Sequence, residues 1–282
     1  MPDVSFVRYE EPAERVARLV VTRAEKRNAQ NTELLYQLND AFDRAAQDDR
    51  IRVIILATEG PDFSSGHDLA ARDQRETMEA RHRVGTWGGG TGEGLEPLWA
   101  YEREVYLGFS ERWRNIPKPT IAQVQGRCIA GGLMLVWPCD LVVASDDALF
   151  RDHTLMLGVP GCEFFMHPWE VGVRQAKEWL FTCDWLTAER AYALGMVNRV
   201  VPLALLAEAT LELARGIAER PLAALRLAKA AVNAAQDAQG RGAALETAFG
   251  LHQLGHAHNL QVHGQIVDPA GLPRKKGPDA PA

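Results

Sequence analysis

The apolar positions of this chain fall into two rhythms that alternate through its first two thirds. Residues 16–22 form a short β-branched, apolar run of the kind that makes a strand. Asn31 can then cap a segment whose apolar residues Leu34, Leu38, Ala41, Phe42 and Ala45 recur at helical spacing. Residues 51–57 (IRVIILA) are apolar almost without interruption, the pattern of a strand covered on both faces. Val105, Phe109, Trp113 and Ile116 mark another amphipathic helix, which Pro117 and Pro119 stop. A strand over 120–124, a short helix over 131–137 ended by Pro138, and a strand over 141–144 continue the series. This order of strand then helix predicts an α/β architecture built on parallel strands.

Past Asp184 the pattern turns helical. Thr187 can cap a short helix with Gly195 as its stop, and 197–201 reads as a last strand. Helices follow over 203–219, 221–235 and 242–259, and from Gln265 onward prolines break any periodicity. The chain therefore divides into a core over 1–200, a helical region over 201–264 and a flexible tail over 265–282. Residues 74–98 fit neither rhythm, being polar and then glycine-rich (WGGGTGEG). A loop this long inside a compact domain reads as a lid, a binding loop or disorder.

Composition narrows the class. The 282 residues are 46% hydrophobic, enough for a large core, and carry a formal charge of −6. A generic binder of nucleic acid or anionic membrane would show a basic excess or stripe, so neither partner is expected. The amino-terminus has no basic-then-apolar leader pattern, and the apolar run 129–144 is interrupted by Pro138 and Asp140. Cys128, Cys139, Cys162 and Cys183 include no CxxC pair, so reduced, buried thiols in a cytoplasmic protein are expected. Nucleotide-binding and nucleophile-elbow patterns are absent: there is no GxxxxGK or GxSxG, and GGGTGEG does not parse as GxGxxG.

The chemistry-bearing candidates are two strand-to-turn segments. The strand at 51–57 feeds GPDFSSGHDL, and the strand at 120–124 feeds QGRCIAGGLML. Gly66 in the first, and Gly131 with Gly132 in the second, sit where a turn or helix begins. Glycines there let backbone N–H groups point free into a cleft, and two such groups from separate loops can hold an oxyanion. Ordinary tight turns have the same spacing, so the pattern alone leaves both readings open.

FSSGHDL resembles the F-C-A-G-A-D-L segment of the crotonase (enoyl-CoA hydratase/isomerase) superfamily. KPTIAQVQGRCIAGGLMLVWPCDLVVAS is similar, almost position for position, to that family's K-P-x-I-A-x-V-x-G-x-x-x-G-G-G segment and its C-D continuation. TRAEKRNAQN and LTAERAYALGMVNRVVP resemble two further family segments, in family order. The resemblance implies a ββα superhelix with a C-terminal helical assembly region, forming a homotrimer or dimer of trimers. It implies an acyl-CoA or enoyl-CoA thioester substrate, with coenzyme A belonging to that substrate and neither a separate cofactor nor a metal required. It makes the backbone N–H groups of His67 and Gly131 the oxyanion donors. It also assigns coenzyme A or substrate contacts to Lys26, Asn28, Ala29, Gly66, Asp68, Leu69 and Gly132.

The chain departs from the hydratase pattern where that pattern places two glutamates. Met134 stands at the first position, and His153 and Thr154 stand at the second. The remaining acid/base candidates are Glu163, Asp152 and His153. Glu163 lies between Cys162 and two phenylalanines, so burial is expected to raise its pKa. The resemblance thus implies an enoyl-CoA hydratase-like enzyme working through an enolate. Isomerisation or a related reaction with a relocated acid/base, and a silent CoA-ester-binding scaffold, are the alternatives that exchange of the α-proton would separate. His252 and His256 have the i, i+4 spacing of a helical metal pair. No acidic partner lies near them in sequence, so surface or interface histidines are expected. The HPWE run at 167–170 is expected to cap the next helix, and Trp87, Trp99 and Trp113 are candidates to line an acyl pocket.

Overall fold

A computed structural model describes residues 5–72 and 74–272. The elements in chain order are β1 (Val7–Ala13), β2 (Val16–Val21), α1 (Thr32–Gln47), β3 (Val53–Thr58), α2 (Gln74–Ala80) and α3 (Glu96–Glu102). A π-helical turn, Arg103–Gly108, joins α3 to α4 (Phe109–Arg114). Then come β4 (Thr120–Val124), β5 (Arg127–Ile129), α5 (Leu133–Val136), β6 (Leu141–Ser145), β7 (Leu149–Arg151), α6 (His167–Val171) and α7 (Val173–Thr182). The chain continues through β8 (Leu186–Thr187), α8 (Ala188–Leu194), β9 (Arg199–Val201), α9 (Leu206–Ala218), α10 (Leu222–Ala238) and α11 (Arg241–His263).

Two sheets share these strands. The larger runs β1-β2-β3-β4-β6-β9, and the smaller runs β5-β7-β8. Every pairing in the larger sheet from β2 onward is parallel, while β1 joins as an antiparallel edge. The chain places β4 in the large sheet, β5 in the small one, then helix α5, and repeats with β6 and β7. That is the ββα spiral expected from the resemblance. Strand β1 escaped the sequence pattern because its run VRYEEPA is only half buried and carries charge at the sheet edge.

The continuous apolar run of β3 is explained by its two covers. Val53, Ile55 and Ala57 face a core completed by Leu206, Ala214 and Ala218 of α9. Ile54 and Leu56 face the main core with Leu34, Leu38 and Phe42 of α1. Burial of each such side chain is worth about 1.5–3 kcal/mol, so the strand is held from both sides. Asn31 caps α1 through its side-chain oxygen, which accepts from the Leu34 N–H at 3.1 Å. Thr187 does the same for α8, accepting from Arg190 at 3.2 Å.

Three expectations are corrected. Residues 74–98 are not wholly a loop, since α2 and the start of α3 lie within them and their neighbours border the main cavity. The stretch 265–272 is not frayed: the Asp268 N–H donates to the Leu157 carbonyl at 2.8 Å, strapping it across the chain. The rest of the tail, 273–282, lies outside the described residues. Finally, His167 does not cap a following helix. It opens α6, and its buried imidazole Nε2 lies 2.9 Å from Asp152.

Candidate active site

Two bridged turns build the site. The Ser64 N–H donates to the Arg127 carbonyl at 3.0 Å, and the Ile129 N–H donates to the Ser64 carbonyl at 2.9 Å. This pairs Ser64 with Cys128, so His67 and Gly131 each follow the bridge by the same short run of chain. A second bridge pairs Gln30 with His67, using the amides of Gln30 and Asp68. The intervening His67 N–H therefore points the other way, out of the pairing. Gly131 lies in the first turn leading into α5, where a backbone N–H has no helical acceptor. Gln30 locks the two turns together, its side-chain amide donating to the Gly131 carbonyl at 2.8 Å.

The contact between these turns leaves no room for side chains. Gly66 has φ +88°, and a Cβ there would lie 2.9 Å from the Ile129 carbonyl oxygen and 3.3 Å from the Gly131 nitrogen. A Cβ on Gly131 would lie 2.5 Å from the His67 ring. That ring is itself stacked on Tyr106, at 3.8 Å between centroids. Ala130 completes the strained loop with φ 45°. Backbone strain of this kind costs about 1–3 kcal/mol per residue and concentrates at functional sites.

Both turns open into a cavity of about 680 Å³. Of the residues that the sequence nominated as acid/base groups, oxyanion donors or substrate contacts, His67, Asp68, Leu69, Gly131 and Glu163 line it, as does Thr154 at the second glutamate position of the hydratase pattern. Glu163 is 4% exposed, and its Oε2 lies 3.2 Å from His67 Nε2. Burial pushes the Glu163 carboxyl upward, as anticipated, but the imidazoles of His67 and His252 outweigh it. Together with hydrogen bonding, they hold the group well below the usual carboxylate range. The expected upward shift is thus reversed by neighbours that the sequence did not place there.

The other candidates stand elsewhere. Asp152 is fully buried and does not line the cavity. Its carboxylate accepts from the Thr154 N–H (2.9 Å) and hydroxyl (2.6 Å), and from the Cys162 N–H (3.0 Å). Asp152 thereby fixes the segment that presents Glu163. His153 also lies outside the lining. Asn28 is buried and spends its side chain on the Glu59 and Asp62 carbonyls and the Arg23 amide. Ala29, Gly66 and Gly132 are buried behind the turns, and Lys26 is exposed. Asp68 pairs with Arg23 at 2.8 Å, which, against the upward push of burial, keeps its carboxyl below the ordinary range. Met134, at the first glutamate position of the hydratase pattern, is buried in the main core.

Several lining residues were not anticipated. Glu102 and Tyr106 come from the α3–π-turn segment, and His252 and His256 come from α11. Both histidines are buried, which corrects the expected surface or interface position. The carboxylate missing from the local sequence is supplied by Glu102, whose Oε1 lies 3.2 Å from His256 Nε2. Two buried carboxylates, Glu102 and Glu163, therefore do border the cavity, at neither hydratase position. The tryptophans do not line it: Trp113 packs in the core, and Trp87 and Trp99 stack on each other at 5.9 Å. All four cysteines are free thiols.

A ββα spiral whose two glycine turns open together into one cavity is the arrangement expected of the crotonase superfamily. Comparison with known proteins agrees. The family model described as enoyl-CoA hydratase/isomerase matches residues 11–262. A Mycobacterium tuberculosis protein named as an enoyl-CoA hydratase, EchA13, is 44% identical over 267 residues, covering 93% of this chain and 84% of that protein. A crystal structure of a Mycobacterium smegmatis protein named as an enoyl-CoA hydratase is 46% identical with a TM-score of 0.84, covering 93% of this chain and 99% of that one. An enoyl-CoA hydratase/isomerase from Xanthobacter autotrophicus Py2 is 32% identical with a TM-score of 0.78, covering 95% and 90%. The chain belongs to the enoyl-CoA hydratase/isomerase family, and its substrates are accordingly of the acyl-CoA class. Among the described residues no helix is long and apolar enough to cross a membrane.

Proposed function

We propose that this enzyme moves a proton on an enoyl-CoA ester through an enolate, with Glu163 as the acid/base and the N–H groups of His67 and Gly131 as oxyanion donors. The observation that carries the reading is the position of Glu163, 3.2 Å from the ring of the donor residue itself and lining the same cavity. A thioester α-proton is too weakly acidic to remove unless the developing negative charge on oxygen is stabilised. For a 3-enoyl ester, Glu163 takes the α-proton while the C–H electron pair moves onto the thioester oxygen. Return of that proton at the γ-carbon shifts the double bond and leaves Glu163 ionised again. One carboxylate suffices for this shuttle, whereas water addition by the family's two-glutamate route lacks both of its usual groups.

Arg72, Arg75 and Arg83 border the cavity and supply the local positive charge that a polyanionic coenzyme A needs against a net charge of −6. Helix α10 buries none of its own side chains, yet Leu227 and Val232 are 72% and 70% exposed. Such an uncovered apolar face supports assembly through the C-terminal helices, as a trimer or dimer of trimers. Unpaired thiols suit a reducing cytoplasm. The test is Glu163→Gln, read by deuterium exchange at the α-carbon of a panel of acyl- and enoyl-CoA esters. Exchange should fall by about 10²–10⁴, the usual contribution of a general acid/base. Unaltered exchange in a folded variant would remove Glu163 from the reaction.

A further inference from the structure

The structure assigns a second feature to the cavity wall: we propose that Glu102, His252 and His256 form a binding site for one divalent transition-metal ion, with zinc the best chemical match. The two imidazoles lie one helical turn apart on α11, and the carboxylate reaches them from α3. All three residues are buried, and their ligand atoms lie within 4.8 Å of one another. Each ring is locked in the orientation that metal ligation needs. His252 Nδ1 donates to the Gly161 carbonyl at 2.8 Å, and His256 Nδ1 donates to the Ile266 carbonyl at 2.6 Å. A carbonyl can only accept, so both protons sit on Nδ1 and both Nε2 atoms turn inward. Outer hydrogen bonds of this kind fix the tautomer of histidine ligands. Glu102 is braced as well, accepting from the Gln253 amide at 2.5 Å.

What lies between the inward atoms decides for a cation. The buried Nε2 atom of His252 has no hydrogen-bond partner, and that of His256 faces only Glu102 Oε1, at 3.2 Å. His252 Nε2 stands 4.0 Å from Glu102 Oε2 and 3.6 Å from Glu163 Oε1, too far to share a proton directly with either. Ligand atoms about 2.1 Å from a common tetrahedral ion are about 3.4 Å apart, which is the scale of these gaps. A two-histidine, one-carboxylate set suits a borderline ion such as zinc and leaves a fourth position, here on the side of Glu163. The other buried acid–thiol–imidazole group, Asp152 with Cys162 and His167, makes the contrast. There the carboxylate already receives donors on both oxygens, one of them His167 at 2.9 Å. This assignment rests on ligand geometry alone, so it and the enolate reading can fail independently.

The experiment uses the full chain, stripped with a chelator, given zinc and dialysed against metal-free buffer, with metal content read by mass spectrometry. Wild type should retain about one zinc per chain, gain thermal stability with zinc, and show ligand-field absorption on cobalt substitution. Glu102→Gln keeps the size and the Gln253 contact but removes a ligand, and should weaken retention more than about 100-fold, beyond the loss of an outer partner. Two results would overturn the site. One is wild type that retains no zinc and gains no stability from it, so that the cluster holds only protons. The other is equal retention by wild type and Glu102→Gln, which would put the ion elsewhere.

Discussion

Replacing Gly66 by alanine tests the oxyanion donors through the backbone rather than through a side chain. The substitution meets two costs that can be separated. Its φ of +88° is one that an L side chain tolerates poorly, at about 1–2 kcal/mol. Its new Cβ would also sit 2.9 Å from the Ile129 carbonyl oxygen and 3.3 Å from the Gly131 nitrogen. Both neighbours are backbone, so the turn bearing His67 must move away from the turn bearing Gly131 by a few tenths of an ångström. Total destabilisation of about 2–3 kcal/mol is expected, roughly 3–5 °C in Tm for a domain of this size. Misplacing one donor should cost about 10²–10³ in kcat, equivalent to about 2.7–4 kcal/mol of transition-state stabilisation. KM should change little, because the donors act mainly on charge that develops in the transition state.

Gly195 supplies the control. It has nearly the same φ, +90°, but a Cβ there meets nothing within 4 Å, and it ends α8 away from the cavity lining. Gly195→Ala should therefore lose stability by the conformational share alone and keep its turnover. The assay pairs thermal unfolding with α-proton exchange and with turnover of crotonyl-CoA and longer enoyl esters. If Gly66→Ala loses stability but exchanges the α-proton within about threefold of wild type, well under the loss of one donor, the paired-amide account is wrong.

The legibility of this chain in its sequence divides along a physical line. Local signals were readable: the caps Asn31 and Thr187, the Gly195 stop and the double-sided apolar run of β3 each depend on residues close in the chain. The two glycine turns could be named because their spacing is local, although their convergence depends on the Ser64–Cys128 bridge between distant segments. Gln30 was missed, and its place just after Asn28 and Ala29 in a recognised motif was the signal that could have found it. Glu102 and the α11 histidines could not be joined from sequence. The contact of α3 with α11 spans some 150 residues, as in the Gln253–Glu102 hydrogen bond, and no local pattern encodes it. The pKa of Glu163 failed for the same reason: its apolar neighbours in sequence are real, but its imidazole neighbours come from elsewhere.

Three further outcomes follow from particular contacts. Lys118 is fully buried, with Nζ donating to the Ala45 and Asp48 carbonyls at 2.9 and 2.7 Å where α1 ends. Lys118→Met should orphan both and cost about 2–4 kcal/mol in urea unfolding, and a loss under about 0.5 kcal/mol would contradict that role. Leu227→Glu combined with Val232→Glu should shift the assembly toward single chains in sedimentation, and an unchanged oligomer would exclude α10 from the interface. The last concerns acid stability. Burial acts to raise the Asp152 carboxyl, but its bond to His167 and the Thr154 donors prevail and hold it far below the ordinary aspartate value. On acidification the unfolded chain therefore takes up this proton first. The stability Asp152 contributes is complete above its unfolded pKa of about 3.9 and is lost as pH falls below that value toward the folded one. Asp152→Asn should be less stable near neutrality, by about 3–5 kcal/mol for breaking a buried pair. Between about pH 4 and pH 2 its stability should fall less steeply than that of wild type, by up to 1.36 kcal/mol per pH unit for the one proton no longer taken up. Parallel acid-unfolding curves for the two proteins would show that folding does not lower the Asp152 pKa.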